Sequence, residues 1–107
     1  MAFPVDLLDQ TVTVYRRRQG QTLRKVTKGF YRYGDVWTQD RFQRECFLVL
    51  AEDLSLQPGD RVFDGIGPET VDWERFLPVS VPGLAQIGAV RPYLFRGKFH
   101  HVEAMDA

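Results

Sequence analysis

At 107 residues the chain can build one modest hydrophobic core and not two, so a single domain over residues 1–107 is expected. With 44% hydrophobic, 13% aromatic and 26% charged residues, disorder throughout the chain is excluded. The formal net charge is zero, unlike a dedicated nucleic-acid binder, but residues 1–33 carry Arg16, Arg17, Arg18, Arg24, Lys25, Lys28 and Arg32 against only Asp6 and Asp9, so the remainder is acidic.

In chain order, residues 6–10 allow at most a short helical turn. The alternating T-V-T-V-Y from Thr11 then predicts a strand running into Arg16, Arg17 and Arg18. Gln19 and Gly20 supply a turn, and T-L-R-K-V-T-K predicts the return strand of a basic hairpin. Gly29 and Gly34 bracket the aromatic cluster F-Y-R-Y, with a further short strand around Val36, Trp37 and Thr38. Residues 42–51 predict a central strand with Phe42, Cys46, Leu48 and Leu50 on one face and Phe47 and Val49 on the other, its second half fully buried. Pro58 and Gly59 form a tight turn into the strand R-V-F-D.

Residues 65–88 hold Pro68, Pro78 and Pro82 among four glycines, which predicts a long excursion with one short strand near residues 71–76. Residues 87–93 and 98–104 close the chain as a hairpin, Pro92 pushing its first strand to a sheet edge. About five to seven short strands with almost no helical periodicity define a mostly β fold, a small barrel or sandwich. No repeat, linker or low-complexity tract interrupts it.

The single cysteine, Cys46, lies in an apolar run and has no internal disulfide partner, as suits a buried thiol in a reducing compartment. The N-terminal M-A-F-P-V-D-L-L-D lacks the basic start and apolar run of a signal peptide, and no apolar run nears the roughly 20 residues that span a bilayer. Neither export nor a membrane partner is expected. No nucleophile elbow, H-x-x-x-H, C-x-x-C or phosphate-binding glycine loop occurs, so no catalytic residue and no cofactor are expected. His100 and His101 are adjacent on a predicted strand, where successive side chains leave opposite faces. One ring should face the core and the other solvent, and no metal site is expected.

Three stretches carry a family resemblance: D-L-L-D-Q-T-V-T-V-Y-R-R (6–17), P-G-D-R-V-F-D-G (58–65) and R-G-K-F-H-H-V-E-A (96–104). Together they resemble the minor capsid, head-tail joining proteins of tailed bacteriophages and prophages. Those proteins tend to open on an acidic-hydrophobic segment and a T-V-T strand, carry a G-D-x-V strand in their second half, and close on an H-H-x-E strand. The resemblance implies an SH3-like barrel with long loops, and a virion structural subunit assembled in the host cytoplasm. Such a subunit multimerises in a ring beneath the portal, meets portal or adaptor and tail-side proteins, and completes the DNA channel.

On that reading Arg16, Arg17, Arg18, Arg24, Lys25 and Lys28 of the basic hairpin are interface or channel candidates, as are Trp73, Phe76 and Leu77 of the excursion. The basic first third and acidic remainder would match head to tail between ring neighbours, and the arginines admit a sequence-blind contact with threaded DNA. The proline-rich excursion departs from the family pattern and leaves adaptor, stopper and tail-side roles open. Two other classes stay open: an SH3-like toxin nuclease, whose early P-G-D strand is echoed here only in mid-sequence, and a nucleic-acid or ribosome-associated barrel supported by the basic hairpin.

Overall fold

Strand-forming residues punctuated by tight turns give β1 (Gln10–Arg18), β2 (Gln21–Thr38), β3 (Arg41–Leu50), β4 (Arg61–Asp64), β5 (Leu84–Phe95) and β6 (Lys98–Asp106). The structure, a computed structural model, describes residues 8–38 and 41–106, with side chains outside 33–45. All neighbouring strands are antiparallel, and the order β1-β2-β3-β6-β5-β4 closes into a barrel when β4 pairs with β1. The fold is therefore the small β-barrel expected. Of the N-terminal helical turn only residues 8–10 are described, and these are not helical.

β1, β3 and β5 run towards one end of the barrel, here called the upper end, and β2, β4 and β6 run back. The upper end carries the β1–β2 turn, the loop 51–60 and the β5–β6 turn. At both hairpin turns the two central residues have positive φ, Gln19 (52°) with Gly20 (76°) and Arg96 (53°) with Gly97 (77°). That is the backbone of a type I′ turn, whose twist matches its flanking strands.

Inside the barrel, Val12, Val14, Leu48, Leu50, Val62, Ile87 and Val102 form the main core, with Tyr31 and Cys46 near the lower end. The second half of β3 is buried as expected on its inner face, and Val49 is buried on the outer one, whereas Phe47 stays half-buried. Phe42 lies outside the residues whose side chains are described. Burial pushes the Cys46 thiol up to about 11, against a hydrogen bond from Tyr31 that works downwards.

β2 departs most from the expected pattern. Where separate short strands are expected around the cluster that Gly29 and Gly34 bracket, one strand of 18 residues runs through both glycines. A Cβ at Gly29 would stand 2.6 Å from the Val49 carbonyl oxygen, so glycine is there for the close approach of β3 and not for a turn. Beyond Gly29, β2 loses its β1 partner, and below Phe47, β3 loses β6. Among the described residues, from Tyr33↔Cys46 to Thr38↔Arg41 the two strands pair only with each other, a ribbon reaching roughly 20 Å below the barrel. A second, shorter ribbon leaves the upper end, where residues 93–95 of β5 and 98–101 of β6 have no further strand partner among the described residues. Pro92 thus lies on an open edge, as its missing N–H requires.

The excursion after β4 is folded, and residues 71–76 form no strand. Asp72 turns the chain instead: its carbonyl accepts from Arg75 N (2.9 Å) and Phe76 N (2.8 Å), and its carboxylate from Glu74 N (3.3 Å). This places Phe76 edge-on against Tyr15, ring centroids 4.8 Å apart, in a second core with Leu84 on the outer face of β1, β4 and β5. Burying Phe76 contributes about 2 kcal/mol. The start of the excursion is laced to the barrel wall. Thr13 Oγ1 donates to Gly65 O (2.8 Å) and accepts from Gly67 N (2.9 Å), while Tyr15 Oη donates to Pro68 O (2.6 Å).

A Cβ at Gly67 would collide with the Tyr15 hydroxyl. Gly67→Ala should therefore destabilise the protein by about 1–3 kcal/mol through the clash, read by chemical denaturation, whereas Gly65→Asn, with nothing within 4 Å of its Cβ, should lose stability only through the backbone strain of a φ of 92°. Native Cys46 should also react with a disulfide reagent far more slowly than in denaturant, since burial lowers both its access and, at a pKa of about 11, its thiolate fraction.

Candidate functional site

The upper end gathers most of the basic residues that sequence reasoning singled out, but their roles divide. Arg16 turns inward. Its Nε and Nη2 grip Asp60 at 3.0 and 2.7 Å in a bidentate pair, and Nη2 also donates to the carbonyls of Leu54 (3.2 Å) and Ser55 (2.6 Å). The hydrogen bond to Asp60 raises the Arg16 pKa further, over the opposing effect of burial. Asp60 is 3% exposed and also accepts from Gln57 N at 3.0 Å, so Arg16 holds the loop 51–60 over the barrel mouth. The P-G-D segment thus supplies a turn and the counter-ion that closes it. Sequence spacing gave no sign of the second role, because Arg16 and Asp60 lie 44 residues apart.

Arg24 is likewise engaged within the subunit. Its Nε and Nη2 donate to Pro68 O (3.1 Å) and Gly67 O (2.6 Å), clamping the excursion from the β2 side. Arg17 and Arg18 stay exposed, Arg17 with one hydrogen bond to Thr22 Oγ1 (3.1 Å). Lys28 is exposed and donates to Thr11 Oγ1 (2.6 Å). Lys25 forms a solvent-exposed ion pair with Glu52 at 3.5 Å, whose other oxygen accepts from Thr27 Oγ1 at 2.6 Å. Beside these, Leu23 and Leu54 line a groove of about 310 Å³ at the barrel mouth.

The excursion candidates hold their own subunit together. Phe76 is buried, and Trp73 lies under the Arg61 guanidinium, 3.7 Å from its ring centroid. Arg61 Nη1 donates to Trp73 O (2.7 Å) and Phe76 O (2.6 Å), which pins the Asp72 turn to β4. Burial lowers the Arg61 pKa, with Glu74 acting the other way. Leu77 is half-buried, and its carbonyl accepts from Ser80 N and Val81 N. Of the candidates, Arg17, Arg18 and Lys28 are therefore the ones most available to a partner. Sequence reasoning missed the second basic tip at the same end, Arg96 and Lys98, with Leu94 (67%) and Phe95 (47%) exposed beside them.

The histidines require a correction. Leu94 pairs with Phe99 and Tyr93 with His101, so His100 is an extra residue on β6, a β-bulge. The alternation of faces fails there. Phe99 and Val102, three positions apart, both pack on the barrel core, and the two imidazoles come together outside it, Nδ1 to Nδ1 at 2.7 Å. Tyr93 stacks on His101 with centroids 4.5 Å apart and 6° between planes, and Glu103 Oε1 stands 3.9 Å from His101 Nε2. Burial and the neighbouring imidazole lower the His101 pKa, with Glu103 opposing. Among the described residues no group of three or more His, Cys, Asp or Glu side chains is placed to hold a metal ion.

Comparison with family models, with curated proteins and with solved structures finds no match to this chain.

The division of the basic hairpin has a measurable consequence. Arg16→Ala strands a nearly buried Asp60 carboxylate and should cost about 3 kcal/mol, whereas Arg18→Ala should stay within about 0.5 kcal/mol of wild type in urea denaturation. Equal effects would show that Arg16 does not hold the loop.

Proposed function

We propose that this protein is a structural joining subunit of a tailed-phage or prophage virion, a minor capsid or head-tail connector protein that assembles in a ring beneath the portal without catalysing a reaction. The observation that carries this reading is the pair of two-stranded ribbons leaving opposite ends of one barrel. An isolated two-stranded ribbon is marginal in water and gains stability when a third strand or a packing surface covers it. Two of them, pointing apart, suit a subunit that must hold one neighbour above and another below. The family resemblance of residues 6–17, 58–65 and 96–104 points the same way.

In this role the barrel and its laced excursion act as a rigid spacer, and the contacts belong to the ribbons and the exposed arginines. Ring neighbours, the portal or an adaptor, and a tail-side protein are the partners, and the virion is the destination. Arg17 and Arg18 at one upper tip and Arg96 and Lys98 at the other also favour a second reading, sequence-blind contact with nucleic-acid phosphates. A steep loss of DNA affinity with salt, reduced by Arg17→Glu with Arg18→Glu, would support it.

The joining role is tested by complementing a phage that lacks this gene. A variant in which Asn-Gly replaces residues 34–45, joining the partners Tyr33 and Cys46 through a two-residue hairpin turn, should keep the barrel's circular dichroism and yield no infectious particles. Normal titres from this variant would remove the lower ribbon from any joining contact.

A further inference from the structure

We propose that His100 and His101 form a chelating site for one divalent transition-metal ion of tetragonal preference, Cu(II) or Ni(II), on the outer face of the upper ribbon. The inference is independent of the joining role. It starts from the bulge at His100, which turns both rings to one side of a strand where regular pleating would separate them. Their Nδ1 atoms stand 2.7 Å apart. Two nitrogens at metal bonds of about 2.0 Å are about 2.8 Å apart when cis at a right angle and about 3.3 Å apart in a tetrahedron. The pair is therefore close to the cis edge of a square or octahedral metal, and short for tetrahedral zinc.

The rings are also held. Tyr93 lies parallel to His101 at 4.5 Å, and the Phe95 ring is 6.3 Å from His100. Glu103 Oε1, 3.9 Å from His101 Nε2 and so beyond hydrogen-bond reach, favours the proton on that nitrogen through its charge, which leaves the Nδ1 lone pair for the site. In the metal-free pair one Nδ1–H donates to the other Nδ1. An entering ion replaces that proton, which the His100 ring carries instead on Nε2, and both rings remain neutral ligands. Water completes the coordination. Arg91 is on the same face, opposite Glu103 on the neighbouring strand, so the carboxylate offsets its positive charge near the ion.

These are the chain's only two histidines, which makes the test direct. Tag-free protein is titrated calorimetrically with Ni(II), and with Cu(II) under electron paramagnetic resonance. Wild type should bind one ion per chain, with a Cu(II) spectrum showing two imidazole nitrogens. His100→Ala and His101→Ala should each fall to the level of the double variant, and Glu103→Gln should weaken binding about tenfold. Circular dichroism checks that each variant is folded, and His100→Gln, which keeps a polar side chain at the bulge, repeats the test should His100→Ala unfold. Binding by wild type no tighter than by the folded double variant, or a Cu(II) spectrum with one imidazole nitrogen, would overturn the site.

Discussion

Closure of the barrel rests on four residues. Among the described residues β4, Arg61–Asp64, is the only element that pairs with both β1 and β5, and without it the remaining five strands would be an open, strongly curled sheet with two raw edges. So short a strand supplies few ladder bonds, and its position is fixed from outside them. At its head Asp60 is held by Arg16, and the Asp60 and Gly59 backbones exchange hydrogen bonds with Ile87 at 2.8 Å each. At its foot Asp64 and Gly65 bond to Gly83 and Thr11. In between, Arg61 reaches outward to the Asp72 turn. The strand that closes the barrel is thus also the strand on which loop and excursion are mounted.

That arrangement explains why residues of similar chemistry behave so differently. The second core exists because Tyr15, on the outer face of β1, meets Phe76, and the excursion reaches it only because Thr13 and Arg24 fix residues 65–68 on the way. Three arginines at this corner are drawn into the subunit: Arg16 by a buried carboxylate, Arg24 by two carbonyls, Arg61 by two carbonyls and an indole face. Cations a few positions further along, Arg17 and Arg18, meet no such acceptors and stay in solvent.

What the sequence makes legible is local. Alternation, β-branched residues and the Gln19-Gly20 and Arg96-Gly97 turns identify the hairpins, and the apolar second half of β3 identifies the core strand. Gly29 misleads because the residue that breaks a strand is also the one that lets a neighbouring strand approach, and only the Val49 carbonyl distinguishes the two. Asp72 misleads because Val71, Trp73 and Phe76 have the composition of a strand, while the carboxylate that reverses the chain is one residue among them. The histidines mislead because face alternation assumes an unbroken ladder, and a bulge is set by the opposing strand. For the interface candidates, residue type marks Arg16 and Arg18 as equals. The carboxylate that separates them lies more than 40 residues downstream.

The distance along the chain between β1 and its closing partner also orders how the molecule forms. The β1–β2, β2–β3 and β5–β6 hairpins join neighbours in sequence and can zip from their turns, whereas Tyr15 and Arg61 meet only after a loop spanning both intervening strands has been drawn shut. The entropy of that closure, like that of the equally non-local β3–β6 pairing, exceeds the cost of closing any hairpin, so hairpin contacts are expected before either seam. While the β1–β4 seam is open, Tyr15 and Leu84 lack the cover that Phe76 and the closed wall give them, and an apolar edge of that kind is where a newly made chain is exposed to its neighbours.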